Sequence, residues 1–305
     1  MKKSARNRII AWSIVSVLLV GVLISGIILV KKGNIGLINV APVSIGSANT
    51  ANSIDITEDI KEFDSYEINS IIVNWTNGNV KVETSKTDKI LVDVKSYTQK
   101  NKNDVVSCIN ENGTLKIYSE KQGGWNLFSN FTSKEVVITI PEDKIFEKID
   151  VSTASAECSV NGVKSDEVNM NTASGDIRVT NSQGNTASMN SASGDVDIID
   201  SEFTDISTES VSGSTNVNGK FKKFDSESVS GSVTINSLTE CDRIDTETVS
   251  GSIHITLPSS VNSVNLDFDS VSGSLDSEIG NSTSANAPQI DLETVSGSAT
   301  VKRAA

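Results

Sequence analysis

Residues 244–257 read Ile-Asp-Thr-Glu-Thr-Val-Ser-Gly-Ser-Ile-His-Ile-Thr-Leu, and this stretch decides the fold. Its centre, Thr-Val-Ser-Gly-Ser, recurs with small changes through the second half of the chain. The glycines of these pentapeptides are Gly175, Gly194, Gly213, Gly231, Gly251, Gly273 and Gly297, and Ala156 stands in the first such place. Successive spacings are 19, 19, 19, 18, 20, 22 and 24 residues. Eight units at a period near 20 mark a stacked repeat, because one such unit cannot bury its apolar face alone.

Positions around the glycine alternate in character. Seven before it lie mostly apolar residues, from Ile149 to Ile290, and five before it a mixture that includes Val151, Met170, Phe268 and Leu292. Two before it are only Ala or Val, from Ala154 to Val295. Two and four after it are again mostly apolar, as in Ile253 and Ile255. A period of two is one face of a strand. The change from odd to even offsets calls for a corner at the pentapeptide, where glycine tolerates backbone that other residues avoid. Each unit is thus expected to be one coil: strand, Ser-Gly corner, strand, return loop. Stacked in parallel register, eight coils make a rod roughly 38 Å long at ~4.8 Å each.

Four before the glycine the units carry Ser152, Asn171, Asn190, Glu209, Glu227, Glu247, Asp269 and Glu293. Six before it, the later units carry Asp225, Asp245, Asp267 and Asp291. In a parallel stack these become two outward rows, acidic toward the C-terminus. Carboxylates ~4.8 Å apart repel by roughly 0.9 kcal/mol in bulk water. The row Glu209, Glu227, Glu247, Asp269 and Glu293 is therefore a candidate cation ladder, since carboxylate oxygens are good calcium ligands. A solvated acidic face that discourages lateral strand pairing accounts for the same residues. The glycine-rich nonapeptide of calcium solenoids does not occur.

The serine one before each glycine, Ser155 to Ser296, is expected to brace the corner by bonding nearby backbone. His254, between inward Ile253 and Ile255, is expected to face solvent without catalytic partners. Polar positions recur evenly from coil to coil, and no coil carries a distinctive set of acids and bases. No catalytic residue and no cofactor is assigned, and the chain is not expected to be an enzyme. With one histidine, and with Cys108, Cys158 and Cys241 far apart, neither a multi-histidine zinc site nor a full disulfide framework can form.

The first half has a different organisation. Ile9 to Val30 is a 22-residue run without a charge. As a helix it spans roughly 33 Å, enough for a ~30 Å hydrocarbon core. Lys2, Lys3, Arg6 and Arg8 precede it and Lys31 and Lys32 follow. That bias places residues 1–8 in the cytoplasm and the remainder outside the cell membrane. A cleaved signal peptide shares the basic start, but the run is long and ends without a small-x-small site. A single-pass signal anchor over 9–30 is the expectation, with the bilayer as its partner. Residues 33–55, rich in Gly, Asn, Ser, Ala and Thr, read as a flexible stalk. Residues 60–148 alternate as strands, with Asn77-Gly78 and Asn112-Gly113 as turn signals, and are expected to cap or begin the solenoid. The repeat proper covers 149–302.

The chain carries a formal net charge of -13 over 305 residues, and six of its 26 Lys and Arg lie in the first 32. The remainder has 20 basic against 39 acidic residues, a poor composition for nucleic-acid binding.

The units Thr-Ala-Ser-Gly-Asp-Ile and Thr-Val-Ser-Gly-Ser-Ile follow Phe63-Asp64-Ser65-Tyr66-Glu67-Ile68 and Asn112-Gly113-Thr114-Leu115-Lys116-Ile117. In that combination, residues 60 to 302 resemble the bacterial putative adhesin family, domain of unknown function 4097. The resemblance implies a β-strand-repeat envelope protein, often membrane-tethered, and brings no catalytic or binding residues. The fold class expected is all-β, a β-solenoid preceded by one transmembrane helix. The function expected is a non-catalytic binding, adhesion or envelope scaffold acting on an unknown surface ligand. An envelope sensor or regulatory subunit is the alternative, and it needs a membrane protein partner because eight cytoplasmic residues cannot signal alone.

Overall fold

The computed structural model describes residues 57–96, 104–121 and 134–305. The expected tail, anchor and stalk lie outside the described residues, and so does Trp125. Among the described residues there are 21 strands and one short 3-10 turn, Ser65–Glu67, and no helix is long and apolar enough to cross a membrane.

The Gly251 coil shows how one unit is built. Its first arm is Arg243–Ser250 and its second arm Ile253–Leu257. Ile244, Thr246 and Thr248 are buried from the first arm, and Ile253, Ile255 and Leu257 from the second. Coils stack in parallel: Phe224 lies beside Ile244, and Ile244 beside Ile290. The inward faces merge into one core cluster that runs from Ile68 to Val301. Each fully buried Ile or Phe contributes about 1.5–3 kcal/mol, so a stack of such coils holds together without disulfides.

The ladder continues through the corners. Gly175 N–H donates to the Ser193 carbonyl at 3.1 Å, Gly194 to Ser212 at 3.1 Å and Gly231 to Ser250 at 3.1 Å. Gly175, Gly194, Gly213 and Gly231 have φ between 146° and 155°. The tighter constraint is space. A Cβ on Gly251 would sit 2.7 Å from the Gly231 carbonyl carbon and closer still to its oxygen.

The corner differs from expectation in one respect. The odd-offset alternation persists to three before the glycine, so the buried row at the corner is Thr153, Thr172, Ser191, Ser210, Ser228, Thr248 and Thr294. The Ala and Val residues two before the glycine lie on the outer face; Val271 is 45% exposed. Two members of the buried row brace their corners: Thr153 Oγ1 donates to Ala156 O at 3.3 Å and Ser210 Oγ to Gly213 O at 3.4 Å. The serines one before the glycine are exposed. The narrow corner takes short Ser and Thr side chains, and Thr172, Ser191, Ser228, Thr248 and Thr294 place their hydroxyls there without a hydrogen-bond partner.

Coil order also departs from chain order. The Gly297 coil, Gln289–Ser296 and Ala299–Arg303, lies between the Gly251 coil and the Gly273 coil. The Gly273 coil, Ser263–Ser272 and Leu275–Ser277, therefore ends the stack. At the other end, Ser70–Ser85 is itself a coil, parallel to Ile145–Asn161 with Gly78 opposite Ala156. Asn77-Gly78 is thus a corner inside one coil, whereas Asn112-Gly113 is a hairpin turn joining antiparallel Asp104–Glu111 and Thr114–Lys121. Thr114–Lys121 and Lys134–Pro141 pack in parallel on the outer side of Ser70–Ser85. Antiparallel strands Lys89–Ser96 and Thr57–Asp64 finish that end. Residues 60–148 both begin the solenoid and cap it.

Candidate functional site

The outer face of the first arms is a regular surface, stacked in register from coil to coil. Register places Glu209 beside Glu227, Glu227 beside Glu247, Glu247 beside Glu293, and Glu293 beside Asp269. The five residues of the candidate ladder share one row, with Glu293 ahead of Asp269 because the last coil is inserted. Asp225, Asp245, Asp291 and Asp267 form the adjacent row in the same order. Toward the N-terminus the first row turns neutral, and Asn190 Nδ2 donates to Asn171 Oδ1 at 2.9 Å.

Opposite charge is built into the aspartate row. Arg243 pairs with Asp245 of its own strand and with Asp291 of the next coil at 3.5 Å. Burial on the packed face pushes the Glu209 carboxyl up, and the neighbouring Glu227 adds to it. Burial likewise raises Asp225, with Asp245 adding. Among the described residues, no three His, Cys, Asp or Glu side chains converge as they would around a metal ion.

These shifts give the face a pH signature. A carboxyl whose folded value is raised binds its proton more tightly in the folded state. Stability is then greatest below the ordinary carboxylate value near ~4.3 and declines as pH rises through the raised folded value. Glu209→Gln should therefore raise the Tm at pH 7 by about 2–4 °C, the equivalent of roughly 1 kcal/mol for a half-buried charge and its repulsion by Glu227. The gain should vanish near pH 3, which thermal melts across pH will show. Millimolar Ca²⁺ should stabilise no more than NaCl of equal ionic strength, since screening relieves the same repulsion. A calcium-specific increment lost in Glu227→Gln would establish the cation ladder instead.

The seven corner glycines are brought into one column along the rod, each against the carbonyl of its neighbour. They shape the corner and present no side chain. His254 is exposed on the second-arm face, in a shallow groove with Thr256, Thr300 and Lys302. Cys158 and Cys241 are buried, and burial pushes each thiol up to about 11, so both are inert as nucleophiles at neutral pH. One feature of the surface is hidden in the sequence: the terminal coil leaves Leu266 and Phe268 only partly buried. The lengthened spacings of 22 and 24 residues are its one sequence signal.

The Toastrack DUF4097 family model matches residues 68–302. The chain belongs to that family. Among solved structures, this Toastrack chain is similar to a "putative adhesin" of Bacteroides fragilis, at 16% identity and a TM-score of 0.50, covering 82% of this chain and 99% of that one. A second, a "putative adhesin" of Parabacteroides distasonis, has 12% identity and a TM-score of 0.48 over 82% and 98%. A "putative lipid binding protein" of the same species has 14% identity and a TM-score of 0.36 over 81% and 97%. No curated protein matches the chain. The first of these likenesses concerns the fold, and the Toastrack architecture is what it shares.

Proposed function

We propose that this Toastrack protein is a membrane-anchored, extracytoplasmic scaffold that binds envelope or surface ligands through its solenoid and performs no catalysis. The observation that carries this is the continuity of the outer rows. Coil after coil presents a polar side chain in register, an amide at Asn171 and Asn190 and a carboxylate from Glu209 to Asp269. An extended, periodic face suits an extended partner, whereas catalysis needs a constellation that belongs to one coil. The charge-free run from Ile9 to Val30 supports tethering, and its basic flank supports display outside.

Protease added to intact protoplasts tests the reading. Fragments of the solenoid should be released, and a small fragment containing residues 9–30 should stay in the membrane. Protection of the solenoid, or a mature N-terminus near residue 30, overturns it.

A further inference from the structure

We propose that the C-terminal end of the solenoid docks an extended polypeptide strand that alternates apolar and basic residues. The proposal rests on the binding role above and deepens it by naming the place and the partner's chemistry.

Gly280–Asn281 pairs with Ser263 and Val264 on the outer side, and from Asp267 onward the end coil has strand partners on one side only. Ser263–Ser272 runs along Gln289–Ser296, and Leu275–Ser277 along Ala299–Arg303. In a parallel ladder, alternate residues turn their N–H and C=O toward opposite neighbours. On the outer side, Leu266 N–H donates to Asn281 Oδ1 at 3.1 Å, and Asn281 Nδ2 donates to the Leu266 carbonyl at 3.1 Å. A side-chain amide there takes both positions that a further strand's peptide groups would fill. Beyond it, Phe268 and Ser270 turn their backbone groups the same way. The apolar lining is open as well. Leu275 is 37% exposed and Phe268 partly buried, whereas Ile290 and Leu292 one coil further in are fully buried.

The opposite end is closed by ordinary means. Antiparallel strands cover it, and the Lys61 ammonium on the outermost strand donates to the Val106 carbonyl at 2.8 Å. Lysine and proline are the common guards of a sheet edge. Residues 263–277 contain neither, and residues 255–301 contain no Lys, Arg or His at all against six acids: Asp267, Asp269, Asp276, Glu278, Asp291 and Glu293.

That charge selects the occupant. A second copy pairing symmetrically about Phe268 would set Asp267 against Asp269, and like charges directly opposite are destabilising. A strand with Lys or Arg at alternate positions would meet Asp267 and Asp269 on the outer face. Its apolar residues would cover Phe268 on the inner face, beyond the Asn281 amide that closes the edge at Leu266. Main-chain bonds then supply affinity and the alternation supplies selectivity, as in other cases of strand addition.

The test uses the full-length protein in lipid nanodiscs. The probe is a labelled ten-residue peptide of alternating Val and Lys. Two controls accompany it: one with Pro in place of every Val, equal in charge but unable to pair, and one with Glu in place of every Lys. The Val-Lys peptide should saturate at one per chain, and the controls should bind at least tenfold more weakly. Asp267→Lys with Asp269→Lys should weaken binding tenfold or more. Ser270→Pro, which removes an outward donor without changing charge, should do the same, and thermal melts will show that both variants remain folded. Equal binding of the Pro control, binding beyond one per chain, or unchanged affinity in both variants overturns the strand site. Self-association of the free protein that Asp267→Lys does not affect assigns the end to a second copy and also overturns it. A solenoid released by protease from protoplasts that ignores every peptide sinks this site alone. One that binds the peptide yet is protected in protoplasts sinks the display role alone.

Discussion

Gly251→Val is expected to cost about 3 kcal/mol or more, a loss on the order of 10 °C in Tm for a domain of this size. The cost is steric rather than conformational. Gly251 has no backbone angle closed to other residues, but the space for its Cβ is filled by the Gly231 carbonyl of the coil beneath. The same contact repeats along the column, from Gly175 against Ala156 to Gly273 against Gly297. A side chain at one corner must lift the coil off its neighbour, which breaks the Gly231 N–H bond to Ser250 and loosens the pairing of Ile253 with Val233. Because the first added atom already collides, Gly251→Ala should cost most of what Val does. Gly280→Ala is the control, since nothing lies within 4 Å of the Cβ it would add. Thermal melts of the three variants decide it. A mild Gly251→Ala beside a severe Gly251→Val would mean that the corner can take one carbon and that the close stacking of the glycine column is wrong.

That column is the part of the fold most legible in sequence, because a repeat that must pack carbonyl against Cα leaves glycine at a fixed period. The acidic row was equally legible, since in-register parallel stacking converts equal offsets into adjacency. The corner was less so. Offsets of Ala and Val suggested inward residues, yet hydrophobicity does not encode the width of the lumen, and there the smaller Thr248 is buried while Val249 lies outside. The first coil was disguised for another reason. Ile71, Val73, Val80 and Val82 keep the right offsets from Gly78, but Trp75 fills the corner that Ser and Thr fill elsewhere, so the pentapeptide is absent. Neither the inserted last coil nor the open end it creates could be read from residue types. Leu266 with Phe268 and Ile290 with Leu292 are nearly equivalent apolar pairs, and either coil fits on the Gly251 coil by chemistry alone.

The inserted coil makes the second large prediction, because it exchanges which of two similar residues is buried. Leu292 is fully buried between Thr246 on one side and Phe268 on the other. Phe268 has a strand neighbour on one side and is only partly buried. Leu292→Ala should therefore cost about 2–5 kcal/mol, the range for a buried leucine whose cavity cannot collapse. Phe268→Ala removes the larger side chain and should nonetheless cost less, about 1–2 kcal/mol, because the ring is only partly buried and no strand covers its outer side. Stacking in simple chain order requires the reverse, with Phe268 sandwiched and Leu292 at the exposed end. Chemical denaturation of the two variants distinguishes the arrangements by the sign of the difference alone. If Phe268→Ala proves the more damaging, the Gly273 coil is internal, and the open edge at Phe268 and Ser270 does not exist. The ordering is therefore tested without any ligand, through two side chains chosen so that size and burial pull in opposite directions.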